Sequence, residues 1–143
     1  MSHMQIHVVE DDDQLKDAYK VRQIVFIDEQ GVSPELEMDE HDHNAVHFVG
    51  YKNGEPVAAS RLRYAEDYGK LERICVLKEE RGRQFGKQMI EAMEEVIKEN
   101  HYRKSKLNAQ THAEKFYQSL GYETISGEFM DAGIPHVTMV KTL

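Results

Sequence analysis

The sequence predicts an α/β domain whose central sheet contains both antiparallel and parallel strand pairs. The pair Asn53-Gly54 lies between two β-rich runs and is typical of an antiparallel hairpin. Between Lys70 and Ala109, the order strand, turn, long amphipathic helix, strand indicates a parallel crossover. The 143 residues, 40% of them hydrophobic, suffice for one core, and no linker divides them. We therefore expect a single domain over residues 4–143, with residues 1–3 left from cloning.

The first half of the chain is predicted to form a strand, a helix, an acidic loop and a hairpin. Residues 5–9 alternate as a strand does, and Asp11 to Asp13 offer an N-cap for a helix that ends near Gly31. We expect the strongly acidic residues 33–44 to form a solvated loop, although such a loop could instead attract a cationic substrate. The hairpin strands are predicted at residues 46–51 and 56–64.

The second half of the chain is predicted to alternate strands and helices. A strand over residues 70–77 leads into an amphipathic helix from Phe85, whose charged face is expected to include Glu94. Gly121 is placed to end a second helix. The remaining elements are predicted as a strand at 104–109, that helix at 112–120, and strands at 122–126 and 137–141.

Composition excludes several classes of partner. The formal net charge of -8 argues against nucleic acid, because a nucleic-acid-binding face usually shows in the overall balance. No apolar run is long enough to span a membrane, and no signal peptide is apparent. The lone cysteine, Cys75, fits a reducing compartment. We expect a cytoplasmic protein with no membrane partner, and whether it forms a homodimer is left open.

A basic turn between the strand and the amphipathic helix has the character of an anion site. The N–H groups and dipole of a helix N-terminus favour negative charge, and glycines let the backbone approach a ligand. The spacing is not that of a phosphate-binding P-loop, because three residues separate Gly82 from Gly86 and Gln88 replaces the magnesium-binding hydroxyl. The residues of this turn are Arg81, Gly82, Arg83, Gln84, Phe85, Gly86 and Lys87.

This turn resembles the acyl-CoA loop of the GCN5-related N-acetyltransferases, the GNAT superfamily, which reads R/Q-x-x-G-x-G/A. Arg81 and Gly86 match its first and last positions, and Gln84 stands where the first glycine is expected. The stretch from Gln110 to Tyr122 resembles the second GNAT signature, N-x-x-A-x-x-F-Y-x-x-x-G-[FY], with Gln110 in place of Asn. Residues 22–30 and 133–136 are similar to the ElaA/YjcF-like bacterial subgroup.

The resemblance implies a fold and a reaction. The fold is a mixed, mostly antiparallel sheet with a parallel strand pair splayed at the CoA site and helices on both faces. The reaction is acetyl transfer from acetyl-CoA to a small-molecule or peptide primary amine in a ternary complex, with no metal. The alternative is a CoA-binding sensor or interaction module with little catalysis. The expected cofactor-binding residues are Ile74, Cys75, Val76, the turn from Arg81 to Lys87, Asn108, Gln110 and Tyr117.

The resemblance also assigns catalytic roles. Tyr117 corresponds to the family tyrosine near the CoA sulfur and is expected to be the general acid. Glu72, on the strand that precedes the basic turn, is the first candidate for the general base. Glu29, Asp39, His136 or an ordered water could serve as the base instead. We expect Cys75 to be a small buried residue rather than a nucleophile. The expected substrate-binding residues are Glu29, Gln30, Asp39 and His136. The histidines of the acidic loop show no metal-ligand pattern.

Overall fold

An open eight-stranded sheet runs through the protein, which a computed structural model describes from residue 3 to residue 143. Residues 1 and 2, part of the predicted cloning remnant, lie outside that range. The strands are β1 (Gln5–Val8), β2 (Val46–Lys52), β3 (Glu55–Ala65), β4 (Tyr68–Val76), β5 (Lys104–Gln110), β6 (Glu123–Thr124), β7 (Phe129–Asp131) and β8 (Ile134–Thr142). They lie in the order β1-β2-β3-β4-β5-β8-β6, and β7 pairs with β8 off this path.

Four α-helices connect the strands. Asp11 caps the first one by accepting a hydrogen bond from the Gln14 N–H at 2.8 Å. This helix continues directly into a π-helical segment, Gln23–Glu29, so the helical region predicted up to Gly31 is present with a change of pitch. The α-helices are α1 (Asp12–Arg22), α2 (Pro34–Glu37), α3 (Phe85–Glu99) and α4 (Glu114–Ser119), and 3₁₀ turns cover Glu40–His43, Lys78–Glu80 and Thr111–Ala113.

The parallel pair of strands separates partway along its length. β4 and β5 pair from Gly69 opposite Ser105 to Leu71 opposite Leu107, and their pairing ends there. Every other strand pair within residues 3–143 is antiparallel. This confirms the predicted mixed sheet with a splayed parallel pair. β4 also carries a β-bulge against β3, and Arg73 adopts a positive φ of 58° within it.

Helices cover both faces of the sheet, as predicted. On one face, α3 buries an apolar stripe that includes Met89, Met93 and Ile97 against the sheet. On the other face, α1 and the π-helical segment bury Ala18, Val21 and Val25 against a cluster of strand residues. These two clusters hold α1 and α3 on either side of β4. The helix ends beside β4 therefore line the gap that opens between β4 and β5.

Three local predictions were wrong. Residues 33–44 form α2 and a 3₁₀ turn instead of a loop, and Glu37 and Asp42 are buried although most of the segment is exposed as predicted. Glu94 is only 8% exposed, since its carboxylate accepts hydrogen bonds from the Tyr122 hydroxyl at 2.8 Å and from Lys141 at 3.2 Å. The strand predicted over 122–126 shrinks to the two residues of β6, and β7 was not predicted.

Candidate active site

A cleft of about 960 Å³ opens where β4 and β5 separate. Because β4 loses its β5 partner after Leu71, the main-chain groups of Glu72–Val76 that point away from β3 face this cleft. The Leu77 N–H donates to the Val57 carbonyl on β3 at 2.9 Å, so the N–H of the preceding residue, Val76, points into the cleft. A free strand edge of this kind can pair with an extended ligand.

Most residues predicted to bind the cofactor or the substrate line this one cleft. Arg83 and Asp39 do not; Arg83 is exposed and its Nε lies 3.6 Å from Glu80, and Asp39 is paired with Arg61. The predicted residues that do line it are Glu29, Gln30, Glu72, Ile74, Cys75, Val76, Arg81, Gly82, Gln84, Phe85, Gly86, Lys87, Asn108, Gln110, Tyr117 and His136. Their proximity is an observation, and their individual roles stay predictions.

The anion loop, residues 81–87, leads into the N-terminus of α3. Gly82 and Gln84 both adopt positive φ, 81° and 64° respectively. Gln84 is the N-cap residue of α3, but its side chain makes no capping hydrogen bond. The left-handed backbone explains why a glycine is expected at this position, since a side chain is disfavoured there. Gln84 therefore keeps the backbone path that a glycine would take, at a cost in conformational strain.

Arg81 in this loop points across the cleft to the π-helical segment. Its Nη1 and Nη2 donate to the two carboxylate oxygens of Glu29 at 2.7 Å each, and its Nε donates to the Val76 carbonyl at 3.0 Å. The hydrogen bond from Arg81 lowers the pKa of Glu29, and the same bond raises the pKa of Arg81. The Glu29 carboxylate thus accepts two hydrogen bonds from the Arg81 guanidinium, as an anionic ligand would.

Tyr117 lines the cleft. Its ring packs edge-on against Phe116 and Tyr122, with ring centroids 5.1 Å and 6.0 Å away. The hydroxyl makes no hydrogen bond to any residue between 3 and 143. Burial raises the pKa of Tyr117 to about 12, so the phenol carries its proton at neutral pH. Burial likewise raises the pKa of the Cys75 thiol to about 12, which argues against a nucleophilic thiolate.

Glu72, the first candidate for the general base, is fully engaged by cations. Its carboxylate accepts from Arg61 at 2.8 Å and from Arg63 at 2.6 Å, and Lys70 lies 3.1 Å away. Burial alone would raise the pKa of Glu72, but the hydrogen bond from Arg63 and the charges of Arg61 and Lys70 lower it to about 2. A carboxylate with so low a pKa is a weak proton acceptor at neutral pH, which argues against its role as the base.

Glu72 belongs to a larger cluster that the sequence did not reveal. Arg22 donates to Glu37 and to Asp42 at 2.8 Å each, and Arg61 donates to Asp42 at 3.0 Å. A signal was available, since Arg22 lies at helical spacing on the apolar face of α1 and a buried arginine needs acidic partners. We call this cluster the buried arginine network; its members are Arg22, Glu37, Asp42, Arg61 and Glu72.

A chain of polar side chains crosses the cleft from β5 to the end of the π-helical segment. Gln110 donates through Nε2 to Gln30 Oε1 at 2.9 Å, and its Oε1 lies 2.6 Å from His112 Nε2. Because an amide oxygen only accepts, His112 Nε2 carries a proton in this arrangement. Gln110 replaces the asparagine of the family signature, and its longer side chain makes this span. His112 was not singled out from the sequence, although it lies two residues after Gln110.

His136 on β8 is a buried histidine beside this chain. It lies directly opposite Gln110 in the β5–β8 register. Its Nδ1 is 2.6 Å from the Ile134 carbonyl oxygen, and its ring stacks on Phe129 with centroids 6.0 Å apart. Since a carbonyl only accepts, Nδ1 bears the proton. In the neutral imidazole Nε2 therefore keeps its lone pair and can accept a proton.

Two further classes of feature are absent from the part of the chain that the structure describes. Residues 3–143 contain no group of three or more histidine, cysteine, aspartate or glutamate side chains arranged to hold a metal ion. No helix within the same residues is long and apolar enough to cross a membrane.

Comparison with known proteins identifies the family. Residues 14–143 match the family described as the acetyltransferase (GNAT) domain. The chain is 44% identical over 139 residues to the uncharacterized N-acetyltransferase YjcF of Bacillus subtilis, covering 96% of this chain and 99% of that protein. The chain belongs to the GNAT acetyltransferase family, as its open sheet and splayed strands indicate.

Two further relatives refine this assignment. Protein ElaA of Escherichia coli is 30% identical over 135 residues, covering 90% of this chain and 87% of that protein, and its crystal structure superposes with a TM-score of 0.83. Together with YjcF, it confirms the ElaA/YjcF-like subgroup. A GNAT family acetyltransferase from Elizabethkingia anophelis, crystallised with acetyl-CoA bound, shares the fold at 14% identity, with a TM-score of 0.77 and 98% of both chains covered.

Proposed function

We propose that the protein is an acetyl-CoA-dependent N-acetyltransferase that acetylates a small-molecule or peptide primary amine by direct transfer in a ternary complex. The observation that carries the proposal is that three features meet in one cleft: the anion loop, the free edge of β4 and the side chain of Tyr117. The diphosphate would bind the anion loop, residues 81–87, as anions bind at helix N-termini. The pantetheine arm would pair with the β4 edge at Ile74–Val76.

The proposed chemistry uses three groups of the cleft. The acceptor amine must lose a proton before it attacks, because an alkylammonium titrates near ~10.4. We assign proton removal to His136 Nε2 rather than to Glu72, whose pKa is about 2. The Val76 N–H can donate to the developing oxyanion, and the Tyr117 hydroxyl can protonate the departing CoA thiolate.

Release of CoA thiol in the presence of a panel of primary amines tests the proposal. Tyr117→Phe should lower kcat by about 10²-fold and leave CoA affinity close to that of the wild type, since only the proton donor is lost. His136→Gln should lower kcat/KM by about 10²-fold and leave CoA affinity close to that of the wild type, since only the proton acceptor is lost. Tyr102→Phe, which alters a tyrosine packed against Tyr64, is the matched control. Absence of thiol release with every amine would overturn the proposal.

The alternative is a CoA-binding module with little catalysis. Its support is Gln84, which departs from the family loop and carries a strained backbone. Calorimetry that detects CoA binding by a protein that acetylates no amine would favour this alternative over the enzyme.

A further inference from the structure

The carboxylates of the cleft differ in what neutralises them. Glu72 is held by the buried arginine network, and Glu80 accepts from Lys52 at 2.8 Å and 3.2 Å. Glu29 is paired instead with Arg81, a residue of the anion loop. Glu29 is therefore the cleft carboxylate that a residue of the anion loop holds by two short hydrogen bonds, whereas Glu80 lies 3.6 Å from Arg83 of the same loop.

We propose that Glu29 binds the ammonium group of the acceptor, and that acetyl-CoA uncovers it by drawing Arg81 to the diphosphate. The inference rests on the proposed function and names the determinant of substrate class: a primary amine that arrives as a cation. In the free protein, Glu29 takes the place of the diphosphate on Arg81. Once the diphosphate binds Arg81, the Glu29 carboxylate is left facing the cleft without its cation.

Exposure makes this exchange feasible. The side chains of Arg81 and Glu29 are 42% and 33% exposed, and exposed ion pairs contribute little free energy because water competes for both partners. A diphosphate carries more negative charge than one carboxylate and accepts the same bidentate hydrogen bonds from a guanidinium. Arg81 therefore gains more from the diphosphate than it loses by leaving Glu29.

The position of Glu29 also suits an acceptor site. It is the last residue of the π-helical segment, and π-helical turns are frequent at functional sites. The next residue, Gln30, is hydrogen-bonded to Gln110, which lies opposite His136 on β8. An ammonium held at Glu29 would thus lie across the cleft from the proposed base, where the Gln30–Gln110 hydrogen bond joins the two sides. Acetyl-CoA should therefore bind before the amine.

The test compares CoA and amine binding in Glu29→Gln. Calorimetry should show CoA bound about fivefold more tightly than by the wild type, because the competing carboxylate is gone. The same variant should raise the KM for the best primary amine at least tenfold, with a smaller effect on kcat. A residue that only supported the fold would not change the two affinities in opposite directions.

Two further variants complete this experiment. Glu91→Gln removes an exposed negative charge on α3 without touching the pair, and should change neither affinity more than twofold. Asp131→Asn tests the rival cleft carboxylate. Unchanged or weaker CoA binding by Glu29→Gln, or a raised amine KM in Asp131→Asn alone, would overturn the inference. Failure of the proposed function would give a different result from these two outcomes. The wild type would then acetylate no amine, while calorimetry would still show tighter CoA binding by Glu29→Gln.

Discussion

The protein holds two sets of arginine–carboxylate pairs near β4, and they differ in exposure. In the buried arginine network, Arg22 and Arg61 are 0% and 1% exposed, and each bonds to more than one carboxylate. The Glu29–Arg81 pair has equally short hydrogen bonds, but both of its side chains are partly exposed to solvent in the cleft. This difference in exposure, at similar bond lengths, indicates that bond length does not decide the role of an ion pair. Burial makes the first set part of the fold, and exposure makes the second set exchangeable.

The largest expected effect comes from breaking the buried set. Asp42→Asn removes the charge that Arg22 and Arg61 share, and should lower the free energy of unfolding by about 3–5 kcal/mol, because two buried guanidinium groups lose a counter-ion. Urea denaturation measures this. Glu40→Gln, in the same turn but with a side chain 87% exposed, is the matched control and should change stability by less than about 0.5 kcal/mol. Equal losses in the two variants would contradict the comparison.

Acid should remove the same stabilisation without a substitution. The pKa of Glu72 falls from its ordinary 4.5 to about 2 in the folded state, so the unfolded chain binds more protons between these values. The contribution is complete above pH 4.5, declines as the pH falls and is lost below pH 2. We expect it to be on the order of 3 kcal/mol. Thermal melts across this range measure it, and Glu72→Gln should flatten the dependence.

A smaller effect is expected in the loop that carries the exposed pair. Gln84→Gly should raise the free energy of unfolding by about 1 kcal/mol, because glycine adopts the observed φ of 64° without strain. Gln88→Gly, the same substitution inside α3, should instead lower stability by about 1 kcal/mol. Urea denaturation of both variants checks the opposite signs, and two losses would show that Gln84 is not strained.

The smallest effect is expected where the exposed pair is broken. Glu29→Gln should change the free energy of unfolding by about 0.5 kcal/mol or less, since exposed ion pairs contribute little. The loss of unfolding free energy in Glu29→Gln should thus be several-fold smaller than the loss in Asp42→Asn. A loss above about 2 kcal/mol would place Glu29 among the structural residues and argue against an exchangeable pair.

The sequence was most informative where local pattern determines structure. The anion loop and the Phe116–Tyr117 helix could be located because their residues recur at fixed spacing in the family, and the hairpin followed from Asn53-Gly54. The position of Arg22 on the apolar face of α1 indicated a buried arginine, but its acidic partners could not be identified, because only the fold joins the members of the network: Arg22 and Asp42 are 20 residues apart, Arg61 and Glu72 are 11. From their charge alone, Glu37 and Glu94 were expected at the surface. Both are buried, because Arg22 donates a hydrogen bond to Glu37 and Tyr122 donates one to Glu94.

A crystal structure with CoA bound would show whether the diphosphate displaces Glu29 from Arg81. We expect the guanidinium of Arg81 within hydrogen-bonding distance of a diphosphate oxygen, the Glu29 carboxylate released from it and facing the cleft, and the pantetheine arm on the β4 edge beside Tyr117. A complex in which CoA fills the cleft while Arg81 keeps both hydrogen bonds to Glu29 would contradict the account.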